Sequence, residues 1–549
     1  MDKKLTEKQL TEYSKETIVS MYMALQEITE SLKKTSDMQA EQMKILNKKI
    51  DLLLEQLAIN NQRRFGRSSE KFDFDGQMEL CFNEAEVTIG DKTSIDEPEL
   101  EDVYTQPTRP TTRKKQKGKR EADLKDLPVK IINHEISDEE LKKVFGDKWR
   151  RLPDEIYKRL VFHPATFEVE EHHVAVYCGA DNQTILRAQR DTGLLRNSIV
   201  TPSLQAAIYN GKYVNALPLY RLEQEFKRHD INLSRQNMAN WTIKCSERYL
   251  SLLYDRMHKE LYNSPVLQAD ETPVEVSKDG RAAGSKSYMW VYRTGKMYNK
   301  PPIILYEYQK TRKADHPRNF LKEYEGVLVT DGYQVYHTLE KEQEKLTVAG
   351  CWSHARRRFA DVVKAQGEEK AKNTLAYEAL KQIAAIYKLD NELSKYSKEE
   401  RVRQRQLIVK PQVEAFFAWV KTHQHEVPSK SETGKGMTYC LNQEQYLKVF
   451  LDHGDVPLDN NATESAIRGF CVGKNNWHLI DTIHGAKASA IAYSIAETAK
   501  ANNLKPYQYF KHLLTEIPKH LEDKDLTFLE DLLPWSEKLP AECKKQTNL

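Results

Sequence analysis

The first 64 residues contain neither proline nor glycine, and their apolar positions recur at intervals of three and four residues. This spacing is typical of a long helix with the seam of a coiled coil. We therefore predict that residues 1–71 form a coiled-coil helix that joins copies of the chain. A single amphipathic helix docked on its own protein is the alternative. The predicted seam consists of Met43, Leu46, Ile50, Leu53 and Leu57.

Hydrophobic periodicity disappears in residues 72–127, where an acidic half is followed by prolines and a basic run from 113 to 120. Charge blocks of this kind do not build cores, so we predict a linker. Its basic run either lies along DNA or is simply solvated.

Residues 128–190 then show strand-like alternation, which indicates a small β module. Because its histidines and Cys178 lack paired cysteines at ligand spacing, we do not expect this module to bind zinc.

Residues 191–260 return to a helical period. One helical pattern covers 219–226, and a second begins at Ser234 after a short polar turn. This outline predicts a helix-turn-helix that binds DNA, although helix pairs also occur in any helical domain. If the second helix enters the major groove, Arg235, Gln236 and Asn240 can reach base edges.

The central region changes to the period of β-strands. Three meandering strand candidates precede a helix at 318–324, and two further strands follow, the last leading into a helix that begins near His354. This order is that of a ribonuclease-H-like fold. The five predicted strands are 265–269, 288–292, 303–308, 327–330 and 347–351.

The predicted fold class is therefore multidomain α+β, in which a helical insertion interrupts the ribonuclease-H-like catalytic domain. We assign 261–366 to the first part of this domain, 367–450 to the insertion, 451–505 to the second part and 506–549 to a C-terminal tail.

Three acids stand at predicted element ends: Asp270, Asp331 and Glu464. Oxygen ligands of this kind suit hard divalent cations such as Mg²⁺ or Mn²⁺. Two such ions about 3.5 to 4 Å apart would serve phosphoryl transfer. Each acid also has a structural alternative: Asn461 and Glu464 fit a capping box, and Asp331 precedes a glycine in an ordinary turn sequence.

Basic residues accompany these acids in the sequence and are candidate contacts to DNA phosphates. Arg468 lies one helical turn after Glu464, and three arginines follow the last predicted strand. The candidates are Arg356, Arg357, Arg468 and Lys474.

Composition restricts the cellular setting. The 549 residues include 84 Lys and Arg against 81 Asp and Glu, a net charge of only +3, so nucleic-acid binding must rely on local patches. Seven scattered cysteines argue against a disulfide framework. No run approaches the ~20 apolar residues of a membrane span, and the N-terminus lacks a signal-peptide core. We expect a cytoplasmic, nucleoid-associated protein without a membrane partner.

The motifs in this order resemble those of the bacterial insertion-sequence-sixty-six family of DDE transposases, and the resemblance covers most of the chain. They include Arg64-Phe65-Gly66-Arg67-Ser68-Ser69-Glu70-Lys71, Leu217-Pro218-Leu219-Tyr220-Arg221, Asp270-Glu271-Thr272-Pro273, Thr330-Asp331-Gly332-Tyr333, Cys351-Trp352-Ser353-His354-Ala355-Arg356-Arg357-Arg358-Phe359, Asp459-Asn460-Asn461-x-x-Glu464 and Leu532-Leu533-Pro534-Trp535.

The resemblance implies that Asp270, Asp331 and Glu464 bind two Mg²⁺ or Mn²⁺ ions, cut double-stranded DNA at element ends and join the 3′-hydroxyl to target DNA. Accessory proteins of the element are possible partners. The chain departs from the family where cysteine pairs would bind zinc, and at Ser465 and Lys474-Asn475, where arginine and Arg-Lys are usual. Two alternatives remain: a catalytically decayed DNA-binding regulator or architectural protein, and a nuclease without strand transfer.

Overall fold

The computed structural model describes residues 13–65, 166–178, 185–187 and 193–545, apart from residues 283, 296, 298 and 299. The chain divides into two compact units, one formed by 1–90 with 191–549 and the other by 91–190. The predicted linker and most of the predicted β module lie outside the described residues. Within the second unit, β1 (Val176–Cys178) pairs antiparallel with β2 (Ile185–Arg187).

The larger unit combines one mixed sheet with many helices. Its strands are β3 (Val266–Lys278), β4 (Lys286–Thr294), β5 (Ile304–Gln309), β6 (Gly326–Thr330), β7 (Leu346–Gly350) and β8 (Leu479–Thr482). Its helices are α1 (Lys15–Phe65), α2 (Pro202–Tyr209), α3 (Leu219–Arg228), α4 (Arg235–Cys245), α5 (Ser251–Leu261), α6 (Asp315–Phe320), α7 (Gln334–Glu342), α8 (Trp352–Gln366), α9 (Glu368–Ala371), α10 (Leu375–Glu392), α11 (Lys398–Gln404), α12 (Lys410–His423), α13 (Glu432–Asn442), α14 (Glu444–Lys448), α15 (Asn461–Trp477), α16 (Ile483–Ala501), α17 (Pro506–Glu516) and α18 (Leu529–Leu532).

The sheet has the strand order β5-β4-β3-β6-β7, and β8 also pairs with β3. The strands β3, β4 and β5 form an antiparallel meander, whereas β6, β7 and β8 run parallel to their neighbours. Along one edge, β3 pairs with β6 through Val266–Gln268 and with β8 through Glu275–Lys278. A gap in strand pairing therefore lies between these two contacts.

Alternating side chains place a hydrophobic core on each face of the sheet. On one face, Leu267 and Leu328 join a core with helices α2 to α5, α16 and α17. On the other face, Val327 and Val329 join a second core with α8 and the helices between 367 and 450. Residues 367–450 are helical, as predicted, and they pack on the part of this face that β6, β7 and the start of β3 form.

Helix α1 is a single helix of 51 residues, which confirms the predicted helical conformation of this segment. Its seam side chains are exposed, with Met43 64% and Leu57 57% accessible. Near the C-terminal end of α1, Ile59 is buried in the core that contains α8. Pairing of α1 with a second copy stays a prediction.

Two predicted boundaries differ from the structure. The strand predicted to end before Asp270 continues to Lys278, so Asp270 lies inside β3 and not at its tip. The continuation is stabilised because β4 pairs with β3 as far as Glu275 and β8 pairs beyond it. The helix predicted at 318–324 begins earlier, at Asp315, and ends at Phe320.

Candidate active site

Strand register brings the two aspartates together. The parallel register aligns Gln268 of β3 with Val329 of β6, and Asp270 and Asp331 each follow two residues later. Because side chains alternate along a strand, both aspartates extend to the face that the insertion covers. Carboxylate oxygens of Asp270, Glu271 and Asp331 lie within 4.8 Å of one another. Three acids therefore converge beside the gap in the sheet.

A tight turn after β6 orients Asp331. Gly332 has φ of 88°, a left-handed conformation that a side chain would strain. A Cβ at this glycine would also lie 3.0 Å from the Tyr439 hydroxyl, which donates a hydrogen bond of 2.8 Å to the Asp331 carbonyl. The Tyr333 N–H donates to Asp331 Oδ1 over 2.9 Å. The turn residues and helix α13 thus hold this carboxylate in place.

Helix α15 carries Glu464, and a buried asparagine attaches the start of this helix to β3. Asn460 Nδ2 donates to the Ala269 carbonyl over 2.9 Å, directly before Asp270. Gln268 Nε2 donates to the Asp459 carbonyl over 3.0 Å and to Asn460 Oδ1 over 3.2 Å. These contacts occupy the unpaired edge of β3 and position the first turn of α15 next to the aspartates.

The predicted capping box does not form. Asn460 precedes the helix and Asn461 is already its first helical residue, so Asn461 is not the N-cap. The Glu464 N–H donates to the Asn460 carbonyl, while the Glu464 carboxylate points to α8. The capping interpretation is wrong because tertiary partners from α8 bind this carboxylate.

Two basic side chains of α8 surround Glu464. Arg357 Nη2 lies 3.2 Å from Glu464 Oε2, and His354 Nδ1 lies 3.7 Å from Glu464 Oε1. The imidazole Nε2 of His354 lies 3.3 Å from Arg357 Nη1. Cys351, at the N-terminus of α8, accepts a hydrogen bond from the Asn460 N–H. Glu464 therefore has charged and polar partners from the helix that follows β7.

Electrostatic interactions connect the acids. Burial raises the pKa of Asp270 well above its usual range, and the charges of Glu271, Asp331 and Glu464 raise it further. Burial also raises the pKa of Glu271, as does Asp331, whereas Arg312 lowers it. The pKa of His354 is lowered by burial and by the Arg357 guanidinium. The cluster consequently disfavours its own full negative charge.

No sequence pattern gave Asn460 or Arg312 a role, yet both contact the cluster. Arg312 follows β5 and binds the Glu271 carboxylate, with Nε 2.6 Å from Oε1. The signal for Arg312 is weak, because it is one cation in a short basic loop. Asn460 was visible only as a member of the motif Asp459-Asn460-Asn461-x-x-Glu464, without a role of its own.

Comparisons with known proteins identify the family of this chain. A family model described as "Transposase IS66 family" (insertion sequence sixty-six) matches residues 197–488, more than half of the chain. The chain belongs to the IS66 family of DDE transposases. Two further models match this transposase: "IS66 C-terminal element" at residues 494–535 and "Transposase C of IS166 homeodomain" at residues 52–132.

The transposase is also similar to uncharacterized proteins of Sinorhizobium fredii (strain NBRC 101917 / NGR234). The protein y4jD is 28% identical over 369 residues, which cover 66% of this chain and 71% of y4jD. The protein y4qI is 27% identical over 393 residues, which cover 70% of this chain and 71% of y4qI. Among the helices that the structure describes, none has the length and apolar character needed to cross a membrane.

The predicted DNA contacts of this transposase fall into two groups. Arg235, Gln236 and Asn240 are exposed on α4, whose other face is buried through Met238 and Trp241. The remaining candidates lie on α8 and α15, near the acids. Of these, Arg357 pairs with Glu464, Lys474 Nζ donates to the Pro273 carbonyl over 3.1 Å, and Arg356 and Arg468 are half-buried.

Proposed function

We propose that Asp270, Asp331 and Glu464 are the catalytic acids of this transposase and hold two Mg²⁺ or Mn²⁺ ions. With them the protein cuts DNA at the ends of its element and transfers the free 3′-end to target DNA. One observation carries the proposal: Asp270 and Asp331, 61 residues apart in sequence, bring carboxylate oxygens within 4.8 Å of each other, and the charge of Glu464, 194 residues after Asp270, raises the pKa of Asp270.

The donor set fits hard divalent cations. Asp270, Asp331 and Glu464 offer only carboxylate oxygens, the ligands that Mg²⁺ and Mn²⁺ prefer. The mutual repulsion of these carboxylates costs free energy, and bound cations offset that cost. When bound, two such ions increase the acidity of an attacking water or 3′-hydroxyl and stabilise the leaving oxygen.

The chain's own residues orient the acids before substrate arrives. Asn460 fixes the start of α15 to β3, and Tyr333 and Tyr439 fix the turn at Asp331. Such preorganisation supports catalysis because acids that are already oriented need little rearrangement during the reaction. Arg357 holds Glu464 from the side of α8, and His354 lies beside it.

We further propose that the catalytic domain is ribonuclease-H-like, formed by 261–366 and 451–505 and interrupted by the insertion 367–450. The strand order β5-β4-β3-β6-β7, with an antiparallel meander followed by parallel strands, supports this assignment. In the same proposal, 191–260 binds element ends through Arg235, Gln236 and Asn240, and α1 joins copies of the chain. The exposed seam of α1 supports self-association.

The test is cleavage of a plasmid that carries the DNA flanking the gene. Wild-type protein should nick this plasmid only with Mg²⁺ or Mn²⁺, and Asp270→Ala should abolish nicking while leaving DNA binding intact. Glu275→Gln, an exposed acid on the same strand, is the matched control and should retain activity. Retained nicking by Asp270→Ala would reject the assignment.

The same assay separates the alternatives. A catalytically decayed regulator binds the flanking DNA but does not nick it under any metal condition. A nuclease nicks it, but fails to join precut ends to a second plasmid. The transposase does both, and loss of nicking and joining together in Asp270→Ala would attribute both steps to one site.

A further inference from the structure

A fourth acid, Glu271, lies next to the three proposed catalytic acids, and both of its carboxylate oxygens already have partners. Arg312 binds Oε1, and the Tyr336 hydroxyl donates to Oε2 over 2.9 Å. The Glu271 side chain is only 1% exposed. Glu271 directly follows Asp270 on β3, and one of its carboxylate oxygens lies within 4.8 Å of oxygens of both Asp270 and Asp331.

Arg312 is fixed by two further contacts. Its guanidinium carbon lies 3.7 Å from the centre of the Tyr333 ring, which is close stacking. The Tyr333 hydroxyl donates to the Arg312 carbonyl over 2.8 Å, and the N–H of the same tyrosine holds Asp331. The arginine is therefore part of the turn that carries one of the catalytic acids.

One edge of this guanidinium remains available. Nε and Nη2 face Glu271, whereas in the part of the chain that the structure describes no acceptor is recorded for Nη1. The Arg312 side chain is 38% exposed, although Glu271 beneath it is buried. Asp331 acts electrostatically on Arg312, so the guanidinium lies near the proposed metal site.

From this geometry we propose that Arg312 binds a phosphodiester oxygen of the DNA strand in the active site, and that Glu271 is its positioning residue and not a metal ligand. The proposal rests on the proposed function. A planar guanidinium with one edge anchored on a carboxylate presents its other edge in a fixed orientation, which suits phosphate recognition. Two chemically similar neighbours thus have different roles: Asp270 for metal and Glu271 for the arginine.

The contact is tested by removing charge from one phosphate at a time. Duplexes from the element end, each with a single neutral methylphosphonate near the cut position, are cleaved by wild-type protein, Arg312→Gln and Lys310→Gln. Lys310 is an exposed cation of the same loop and serves as the matched control. A hydrogen bond between charged groups corresponds to about 10- to 100-fold in rate.

We expect one methylphosphonate position to slow wild type and Lys310→Gln by this factor. Arg312→Gln should already be slowed on unmodified DNA, with no further loss at that position. If every modified phosphate slows Arg312→Gln as much as wild type, Arg312 contacts none of them and the proposal is overturned. Absence of any wild-type cleavage would instead refute the proposed function, and this proposal with it.

The role of Glu271 is tested without DNA. Mn²⁺ binding to the full-length protein, followed by electron paramagnetic resonance, should be unchanged in Glu271→Gln and lost in Asp270→Asn. Loss of Mn²⁺ binding in Glu271→Gln would make Glu271 a metal ligand and overturn its positioning role. The double variant Glu271→Gln with Arg312→Gln avoids an unpaired buried carboxylate, so it separates loss of the phosphate contact from loss of folding.

Discussion

The acids of the proposed active site are positioned in two different ways. Asp270 and Asp331 are aligned by the backbone register of adjacent parallel strands. Glu464 lies on a helix whose start is held by side-chain contacts, chiefly those of Asn460, Gln268 and Arg357. The aspartates thus depend on sheet formation, whereas the glutamate depends on polar groups supplied by distant parts of the chain.

The segment before the glutamate helix has a polar support of its own inside the insertion. Arg405 is fully buried, pairs with Asp390 over 2.7 Å, and donates from Nη1 to the carbonyls of Phe450, His453 and Val456. This segment continues into Leu458, whose carbonyl accepts from the Trp352 N–H. The insertion therefore fixes the backbone of the segment that leads to Glu464, in addition to packing on the sheet.

The largest effect should come from Asp270→Asn, which removes the negative charge and so affects both the rate of cleavage and the stability of the fold. Cleavage should fall by at least about 10⁴-fold, since a catalytic group that acts as part of a unit is lost. In metal-free protein at pH 8 the melting temperature should rise, because the raised pKa of Asp270 means that its charge opposes folding. The protonated carboxyl of Asp270 stabilises the wild-type fold at low pH, and this stabilisation is lost as pH rises. The difference in melting temperature between Asp270→Asn and wild type should therefore shrink towards pH 4.

Glu464→Gln is the counterpart of this variant on the helix. Cleavage should fall to a similar extent, but the melting temperature of the metal-free protein should not rise. The reason is that Glu464, unlike Asp270, pairs with Arg357, and the substitution weakens that pair. Equal shifts of the melting temperature in Asp270→Asn and Glu464→Gln would show that the acid on the strand and the acid on the helix have the same effect on stability.

Arg405→Met should cause the second largest effect. Removal of one partner from a buried ion pair costs about 3 to 5 kcal/mol, because the Asp390 charge is left unpaired and three carbonyls lose the donor that Arg405 supplied. Denaturant unfolding of the full chain measures this loss. Arg403→Met is the control: Arg403 is 75% exposed in its pair with Glu400, and its loss should change the free energy of unfolding by less than about 0.5 kcal/mol.

Asn460→Ala tests the attachment of α15 to β3. Loss of the buried hydrogen bonds to Ala269 and Gln268 should reduce the free energy of unfolding by about 2 to 3 kcal/mol. Displacement of Glu464 should slow cleavage by about 100-fold. Asn461→Ala, one residue later, removes a side-chain oxygen that has no hydrogen-bond partner among the described residues, and should be nearly neutral. Equal effects of the two substitutions would contradict a specific role for Asn460.

This contrast also explains how far the sequence was informative. Alternating apolar residues predicted five of the six strands of the main sheet, β3 to β7, and the acids followed from their places beside predicted strands and helices. The far end of β3, from Glu275 to Lys278, escaped prediction because its partner β8 is supplied by residues 479–482, some 200 residues later. Asn460 and Arg312 escaped for the same physical reason: their partners are distant in sequence, and polar residues near loops have no periodicity.

The smallest effect concerns Glu307 on β5, an acid outside the site. Burial raises its pKa to about 7, and its Oε2 atom is buried without a partner among the described residues. Its protonated form therefore stabilises the fold fully below about pH 4.5, and this contribution is lost as pH rises through 7. At pH 8, Glu307→Gln should increase the free energy of unfolding by about 2 kcal/mol, since one pKa unit corresponds to about 1.4 kcal/mol and some water contact remains.

At pH 4.5 the Glu307→Gln variant and wild type should unfold at the same denaturant concentration. The exposed acid Glu325, paired with Lys345, is the control, and Glu325→Gln should show no such pH dependence. Cleavage by Glu307→Gln should match wild type, because this charge lies outside the acid cluster. A loss of cleavage would mean that the Glu307 charge acts on the proposed active site. Buried charges that affect cleavage would then not be confined to the gap beside Asp270.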